Sequence, residues 1–189
     1  MTDFPLHSLE TAPEKSRPFL EDSQKAFGRV PGLHATMAEA PALLEGYKKL
    51  HALFQNDTSF DKDELTVVWQ TINVEHECHY CVPAHTMIAN AMKVDPAITE
   101  ALRNETPLPT PRLEALRTFT LAMLRSRGNV TQAETEAFLA AGFTRQQILE
   151  VVLGLAQKVM SNYTNHVAET PIDEPVKPFT WERAKPTAA

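Results

Sequence analysis

The sequence predicts an all-α helical bundle. Its long apolar segments repeat at helical spacing, and none alternates as a half-buried strand would. Only 6 of the 189 residues are glycine, and the β-branched residues are scattered, which disfavours a turn-rich β fold. Turn signals such as Pro31-Gly32 and Gly128-Asn129 separate the periodic segments.

Residues 1–16 are polar, carry Pro5 and Pro13, and read as an extended arm. A helix over 19–27 is closed by Gly28. After Pro31-Gly32 a short helix covers 35–40. Pro41 opens the next, proline being tolerated in a first turn; Leu43, Leu44, Tyr47, Leu50, Leu53 and Phe54 form its apolar stripe. Asn56-Asp57-Thr58 breaks it. Ser59-Phe60-Asp61-Lys62-Asp63-Glu64 offers cap residues and first-turn acids for a helix from Lys62 to about 73, with Leu65, Val68, Trp69 and Ile72 inward. Helices follow over 84–92 and 96–103. The run from Asn104 to Pro111 holds three prolines and reads as a linker. Helix resumes over 112–127 and stops at Gly128-Asn129. It restarts behind the capping box Thr131-x-x-Glu134 as far as 140, and a final helix runs from a Thr144 cap to about 169. Pro171, Pro175, Pro178 and Pro186 make 171–189 a non-helical tail. The expected organisation is an arm (1–16), one all-α domain (17–170) and a tail (171–189).

With 43% hydrophobic and 22% charged residues, the composition is that of an ordinary globular protein. The length suits a single core without metal or disulfide staples. A net charge of −6 shows no basic excess, so no nucleic-acid partner is expected. No apolar run reaches the ~18 residues of a membrane span. Met1-Thr2-Asp3-Phe4-Pro5 lacks the basic-then-apolar start of a secretory signal. A cytoplasmic protein free of the membrane is expected.

The two cysteines stand together in Glu75-His76-Glu77-Cys78-His79-Tyr80-Cys81-Val82-Pro83-Ala84-His85. A secreted disulfide scaffold would have more, spread out. One C-x-x-C in such a chain points to redox chemistry or to half a metal site. Carried on one helix, Cys78, Cys81 and His85 would point within ~60° of one another, and Cys81 and His85 are i,i+4 neighbours. A His that takes the proton, a helix N-terminus and a second thiol each favour a thiolate. A helix's first turn also brings both sulfurs within bridging range, so Cys78 could resolve an oxidised Cys81 as a disulfide. The alternatives are two buried structural cysteines, or zinc held by Cys78, Cys81 and His85 with His76, His79 or Glu75. Zinc would ordinarily draw a second ligand pair from a distant segment, and only His166 is offered there. Glu75 is placed to orient His85 or relay its proton, or else it is a solvated helix-end acid. Tyr80 and His79 flank the thiols. Near the end of the last helix, Asn162, Tyr163, Asn165 and His166 form a polar cluster. It lines the cysteine pocket, makes a subunit contact, or marks the helix leaving the core.

LTVVWQTINVEHECHYC (65–81) aligns without gaps on LEVVLGLAQKVMSNYTN (149–165). Either two buried helices share Leu and Val by chance, or a helical unit is duplicated, with the cysteines in one copy and Asn162 and Asn165 in the other.

Several stretches together resemble the alkylhydroperoxidase D and carboxymuconolactone decarboxylase superfamily. They are Glu75-x-x-Cys78-x-Tyr80-Cys81-x-x-x-His85 behind an apolar helix, Gly28-Arg29-Val30-Pro31-Gly32 followed by Ala40-Pro41, and Ser161-Asn162-Tyr163-Thr164-Asn165-His166. The resemblance is to the peroxidase-related branch with an E-x-x-C-x-x-C-x-x-x-H signature and covers residues 17–170. It implies an all-α bundle that assembles into homo-oligomers. It also implies Cys81 as the peroxidatic cysteine beside His85, Cys78 as the resolving cysteine, and a Glu–His proton relay. The substrate would be a hydroperoxide and the reductant an external thiol or dithiol, with no metal or haem cofactor. Alkylhydroperoxidase D proper carries its relay Glu twelve residues before the first cysteine, where this chain has Thr66. Glu75, Glu150 from the echoed unit or, less well, Glu64 would stand in. The function expected is thiol-dependent hydroperoxide reduction. A general disulfide oxidoreductase and a zinc-stabilised helical binding module are the alternatives.

Overall fold

The computed structural model describes residues 3–183. Among them are nine α-helices and no strand: α1 Arg17–Phe27, α2 Gly32–Met37, α3 Pro41–Asp57, α4 Lys62–Glu75, α5 Cys81–Ala91, α6 Pro96–Arg103, α7 Pro111–Arg125, α8 Gln132–Ala140 and α9 Arg145–Ala168. No helix of these residues is long and apolar enough to cross a membrane.

Most boundaries follow from local chemistry. The Asp61 carboxylate accepts from the Asp63 and Glu64 N–H groups, and Glu64 reaches back to the cap, which opens α4. Thr131/Glu134 and Thr144/Gln147 form the same reciprocal box at α8 and α9. Gly28 ends α1 with φ 69°. Two helices start three residues earlier than the spacing predicts. α2 begins at Gly32, not 35, because Pro31 serves as its extended N-cap rather than as a turn. α5 begins at Cys81, not 84, because Pro83 sits in the first turn, where a missing N–H leaves no bond unmade. α7 ends at Arg125, since Arg127 and Gly128 take left-handed φ values of 56° and 84°.

The expected non-helical tail is also corrected. Residues 174–179 form a 3₁₀ helix, Glu174–Phe179, and Val176 and Trp181 beyond it are buried. The Trp181 indole N–H donates to the Arg103 carbonyl at 2.8 Å. Arg183 pairs with Glu105 at 2.6 Å and Glu77 at 2.9 Å. This strap is laid against α5 and α6, whose prolines set its path without needing backbone donors. Pro186 lies outside the described residues. The arm is held too: Ser16 is buried, and its hydroxyl donates to the Ala38 carbonyl at 2.7 Å.

α4 runs through the middle, buried at every residue from Glu64 to Val74. One cluster packs it against α6, α7, α8 and the start of α9, around a stack of Phe119, Phe138 and Phe143 with ring centroids 4.2 and 4.4 Å apart. A second joins α1, α2 and α3 to the cysteines. α9 passes between them. A Cβ added at Gly154 would lie 2.7 Å from the Phe54 ring, so glycine permits the close approach of α9 to α3.

Candidate active site

The cysteines sit where α4 gives way to α5. Glu77 turns the chain with φ 52°. The Cys78 N–H donates to the Asn73 carbonyl at 3.0 Å. Cys81 then occupies the first position of α5. Cys78 therefore lies in the turn, and only Cys81 and His85 share a helix. Both cysteines are free thiols and buried. The Cys81 N–H donates to Cys78 Sγ at 3.3 Å. The Asn165 amide, on α9, reaches Cys81 Sγ at 3.2 Å and Cys78 Sγ at 3.9 Å. Asn162 donates to Asn73 Oδ1 at 3.0 Å and lies 2.9 Å from the His76 ring, tying α9 to α4 beside the thiols.

The inward face of α9 also carries Lys158. Its side chain is fully buried, and Nζ stands 2.9 Å from His85 Nε2. His85 packs against the Trp69 indole with centroids 4.9 Å apart. Burial and then the Lys158 charge push the His85 pKa well below its ordinary value. His85 is thus a neutral imidazole whose Nε2 accepts from Lys158. Burial alone would raise the Cys81 pKa. The hydrogen bond from Cys78, the Lys158 charge and the amides of Asn162 and Asn165 reverse this and bring it to about 5. Cys78 moves upward, because it gives its hydrogen bond to Cys81 and is itself buried. The surroundings thus favour the thiolate at Cys81 and keep Cys78 as the thiol that donates to it.

A cavity of ≈ 120 Å³ opens over this group. Cys81, His85 and Lys158 line it and Cys78 does not. Its walls mix the rings of Phe27, Tyr47, His51 and Tyr80 with aliphatic Leu33, Ile88 and Val176. Asp173, from the strap, borders it and is fixed from three sides. The Tyr80 hydroxyl donates to it at 2.5 Å, Arg29 pairs with it at 2.8 Å, and the Gly32 N–H donates at 3.1 Å.

No protein-family profile matches the chain, and no curated protein does. Solved structures do. The alkylhydroperoxidase core of an uncharacterised peroxidase-related protein from Ralstonia eutropha JMP134 superposes with TM-score 0.81 at 23% identity, over 92% of this chain and 93% of that one. The fold is that of the alkylhydroperoxidase core. A peroxidase-related protein from Silicibacter sp. TM1040 gives 0.76 at 20% identity, over 93% of this chain and 92% of that one. The debrominase Bmp8, as a cysteine-to-alanine variant bound to 2,3,4-tribromopyrrole, gives 0.76 at 14% identity over 95% of each chain.

Within this alkylhydroperoxidase-type bundle, Cys78, Cys81, His85, Tyr80, Asn162 and Asn165 come together as the sequence suggests. Glu75 does not join them. Its carboxylate takes both nitrogens of Arg125, at 2.6 and 2.8 Å, on the outer side of α4, and it borders no part of the cavity. Glu150 instead accepts from the Ser59 N–H and hydroxyl at 3.1 and 2.7 Å, anchoring the loop into α4. Glu64 is taken by Arg112 at 2.8 Å. His79 meets the Thr170 carbonyl at 3.0 Å, and His166 is exposed on the outer face of α9. Among the described residues no three His, Cys, Asp or Glu side chains converge as metal ligands do. Sequence reasoning missed Lys158 and Asp173. Lys158 had a readable signal: it lies four and seven residues before Asn162 and Asn165, on the same helical face. In the echoed alignment Asn165 stands opposite Cys81 and Asn162 opposite Cys78. The two stretches do pack together, with Asn165 meeting Cys81.

Proposed function

We propose that the protein reduces a small hydroperoxide with its Cys78/Cys81 dithiol. One observation carries the reading: of the two sulfurs, Cys81 alone lines the cavity, with Lys158 and His85 beside it and the Asn165 amide donating to it. The thiolate is the nucleophile in thiol chemistry, and here Cys81 faces a cavity through which a small oxidant can reach it.

The Cys81 thiolate attacks the terminal oxygen of the peroxide. The O–O bond breaks, the alkoxide leaves and is protonated to the alcohol, and Cys81 becomes a sulfenic acid. Cys78 then attacks the Cys81 sulfur. The S–O bond breaks, hydroxide leaves with the Cys78 proton as water, and the Cys78–Cys81 disulfide closes. An external thiol or dithiol reopens it by exchange. Asn165 holds both sulfurs through the cycle, and His85 holds Lys158. A reducing cytoplasmic setting suits two free thiols so used. The outer stripe of α9, with Leu149, Val152, Tyr163 and Val167 exposed, offers an apolar face for the homo-oligomer the resemblance implies.

A general exchange with protein disulfides is less well served, because both sulfurs are buried. A second small-molecule reading, reductive removal of halogen from an aromatic ring, draws support from the rings in the cavity walls and from the debrominase among the structural neighbours.

The test mixes pre-reduced protein with cumene hydroperoxide, hydrogen peroxide or a brominated pyrrole, with dithiothreitol as reductant. Peroxide should be consumed, the denatured mass should drop by two hydrogens, and Cys81→Ser should abolish both. Undiminished peroxide turnover by Cys81→Ser would overturn the proposal. Turnover of the brominated ring alone would move it to the second reading.

A further inference from the structure

The reaction above gives Lys158 a charge near Cys81 but no part in moving protons, and its surroundings are unusual for an ammonium. It is fully buried. Its polar contact is a neutral imidazole nitrogen, His85 Nε2 at 2.9 Å. Among the described residues no carboxylate forms an ion pair with it. From α3 it is faced by His51 and Tyr47, from α5 by His85 and Cys81, and from the turn before α5 by Cys78. α4 contributes the uncharged Trp69. Across the cavity stand His34 of α2, with Arg29 and Tyr80, and Asp173 is already shared between those last two. Among the described residues, the acidic group left to balance Lys158 is therefore the Cys81 thiol, which lines the same cavity.

That pairing cannot survive oxidation. A disulfide carries no charge, and an ammonium left beside it would be a buried, uncompensated cation, which burial disfavours. We propose that Lys158 is the proton store of the thiol couple: an ammonium opposite the Cys81 thiolate in the dithiol form and a neutral amine in the disulfide form. The proposal rests on the peroxidase reading for the destination of that proton, the oxygen leaving the peroxide. The balance closes. Thiolate, thiol and ammonium give a neutral site. Two electrons pass to the peroxide, the S–S bond forms and the O–O bond breaks. The Cys78 proton completes one molecule of water, and the Lys158 proton completes the alcohol. Disulfide and amine are again neutral, and the reducing dithiol reloads both protons. Lysine thus does here what a carboxylate relay would do, with the opposite charge bookkeeping.

The test uses the intact protein at equilibrium with dithiothreitol between about pH 6 and pH 8, where that reductant's thiols are largely protonated. Thiolate absorbance in the ultraviolet is read on the same samples. Wild type should show one thiolate throughout and an equilibrium constant independent of pH, because two protons are exchanged on each side. A constant that changes about tenfold per pH unit would mean that Lys158 keeps its proton, and would overturn the proposal. Absence of the thiolate at neutral pH would overturn it too. Lys158→Met should lose the thiolate signal near neutrality. Lys158→Arg, whose cation does not deprotonate, should keep the thiolate and acquire the tenfold slope. Peroxide turnover separates the two proposals. A flat constant without turnover sinks the peroxidase reading alone; turnover with a tenfold slope sinks the proton store alone.

Discussion

The two ends of the interior are built on opposite principles. Around α7 and α8 the core is apolar, with Phe119, Phe138 and Phe143 packed ring on ring and Leu116 in the same cluster. On the thiol side, the inward face of α9 carries Gln157, Lys158, Ser161, Asn162 and Asn165, all buried. α4 borders both, offering Leu65, Val68 and Ile72 to one and Gln70 and Asn73 to the other. The difference teaches where stability and reactivity reside. Apolar burial at ~25 cal/mol per Å² holds α4 and α9 in place. That rigidity lets a polar face stay aligned on two sulfurs that would otherwise be costly to bury.

The largest expected effect breaks the apolar end. Phe138→Ala removes a ring that is 1% exposed and should cost about 3–5 kcal/mol, read by urea unfolding. The pH dependence of Cys81 alkylation in the folded protein should not move. A shift there would mean that the two ends are not separable.

Acid should act on the other end first. Burial, with the nearby Lys48 charge, holds the His34 pKa down at about 3, and burial with the Lys158 charge holds His51 at about 4, each from 6.5. Above pH 6.5 both are neutral whether folded or not. Below it the unfolded chain binds protons that the folded chain refuses, so stability falls as pH falls towards 4. The slope is at most about 1.4 kcal/mol per pH unit for each histidine. Hydrogen exchange at about pH 5 should therefore show α2 and α3 losing protection relative to α7 and α8. Uniform loss would break the contrast.

Asn165→Ala gives the mirror image of the Phe138 change. It deletes a hydrogen bond to a charged acceptor, about 1.5–3 kcal/mol, so the Cys81 pKa should rise by about one to two units with a small change in the unfolding midpoint. Alkylation rate against pH reads it directly. An unmoved pKa would leave the thiolate to Lys158, Cys78 and Asn162.

How much of this was legible depends on how local the cause is. Capping boxes at Asp61, Thr131 and Thr144 are written within four residues, and those helix starts fall where the sequence puts them. Pro31 and Pro83 mislead because proline marks a turn and a helix entry equally well, and only packing decides between them. Cys81, Cys78, His85 and the Asn162/Asn165 face are readable from spacing. Lys158 is marked only by its spacing from Asn162 and Asn165, a faint sign, since a lysine on a helix ordinarily reaches water. Asp173 sits in a proline-rich stretch that reads as tail. Its role depends on Arg29 and Tyr80, 144 and 93 residues away in sequence by their numbers, and no window along the chain holds all three.

Glu75 sharpens the comparison most finely, because the sequence places it in the thiol site and the structure places it outside. Its carboxylate is held below its ordinary pKa first by the hydrogen bond from Arg125, and the Arg125 side chain is 59% exposed. Arg183 of the strap stands 3.9 Å away. Such surface pairs contribute about 0–1 kcal/mol, so Glu75→Gln should loosen the strap slightly and leave peroxide turnover within about twofold, whereas a lost general acid or base would cost about a hundredfold or more. A hundredfold loss in turnover, with the Cys81 pKa unchanged, would restore Glu75 as the relay and remove the need for a lysine that moves its proton.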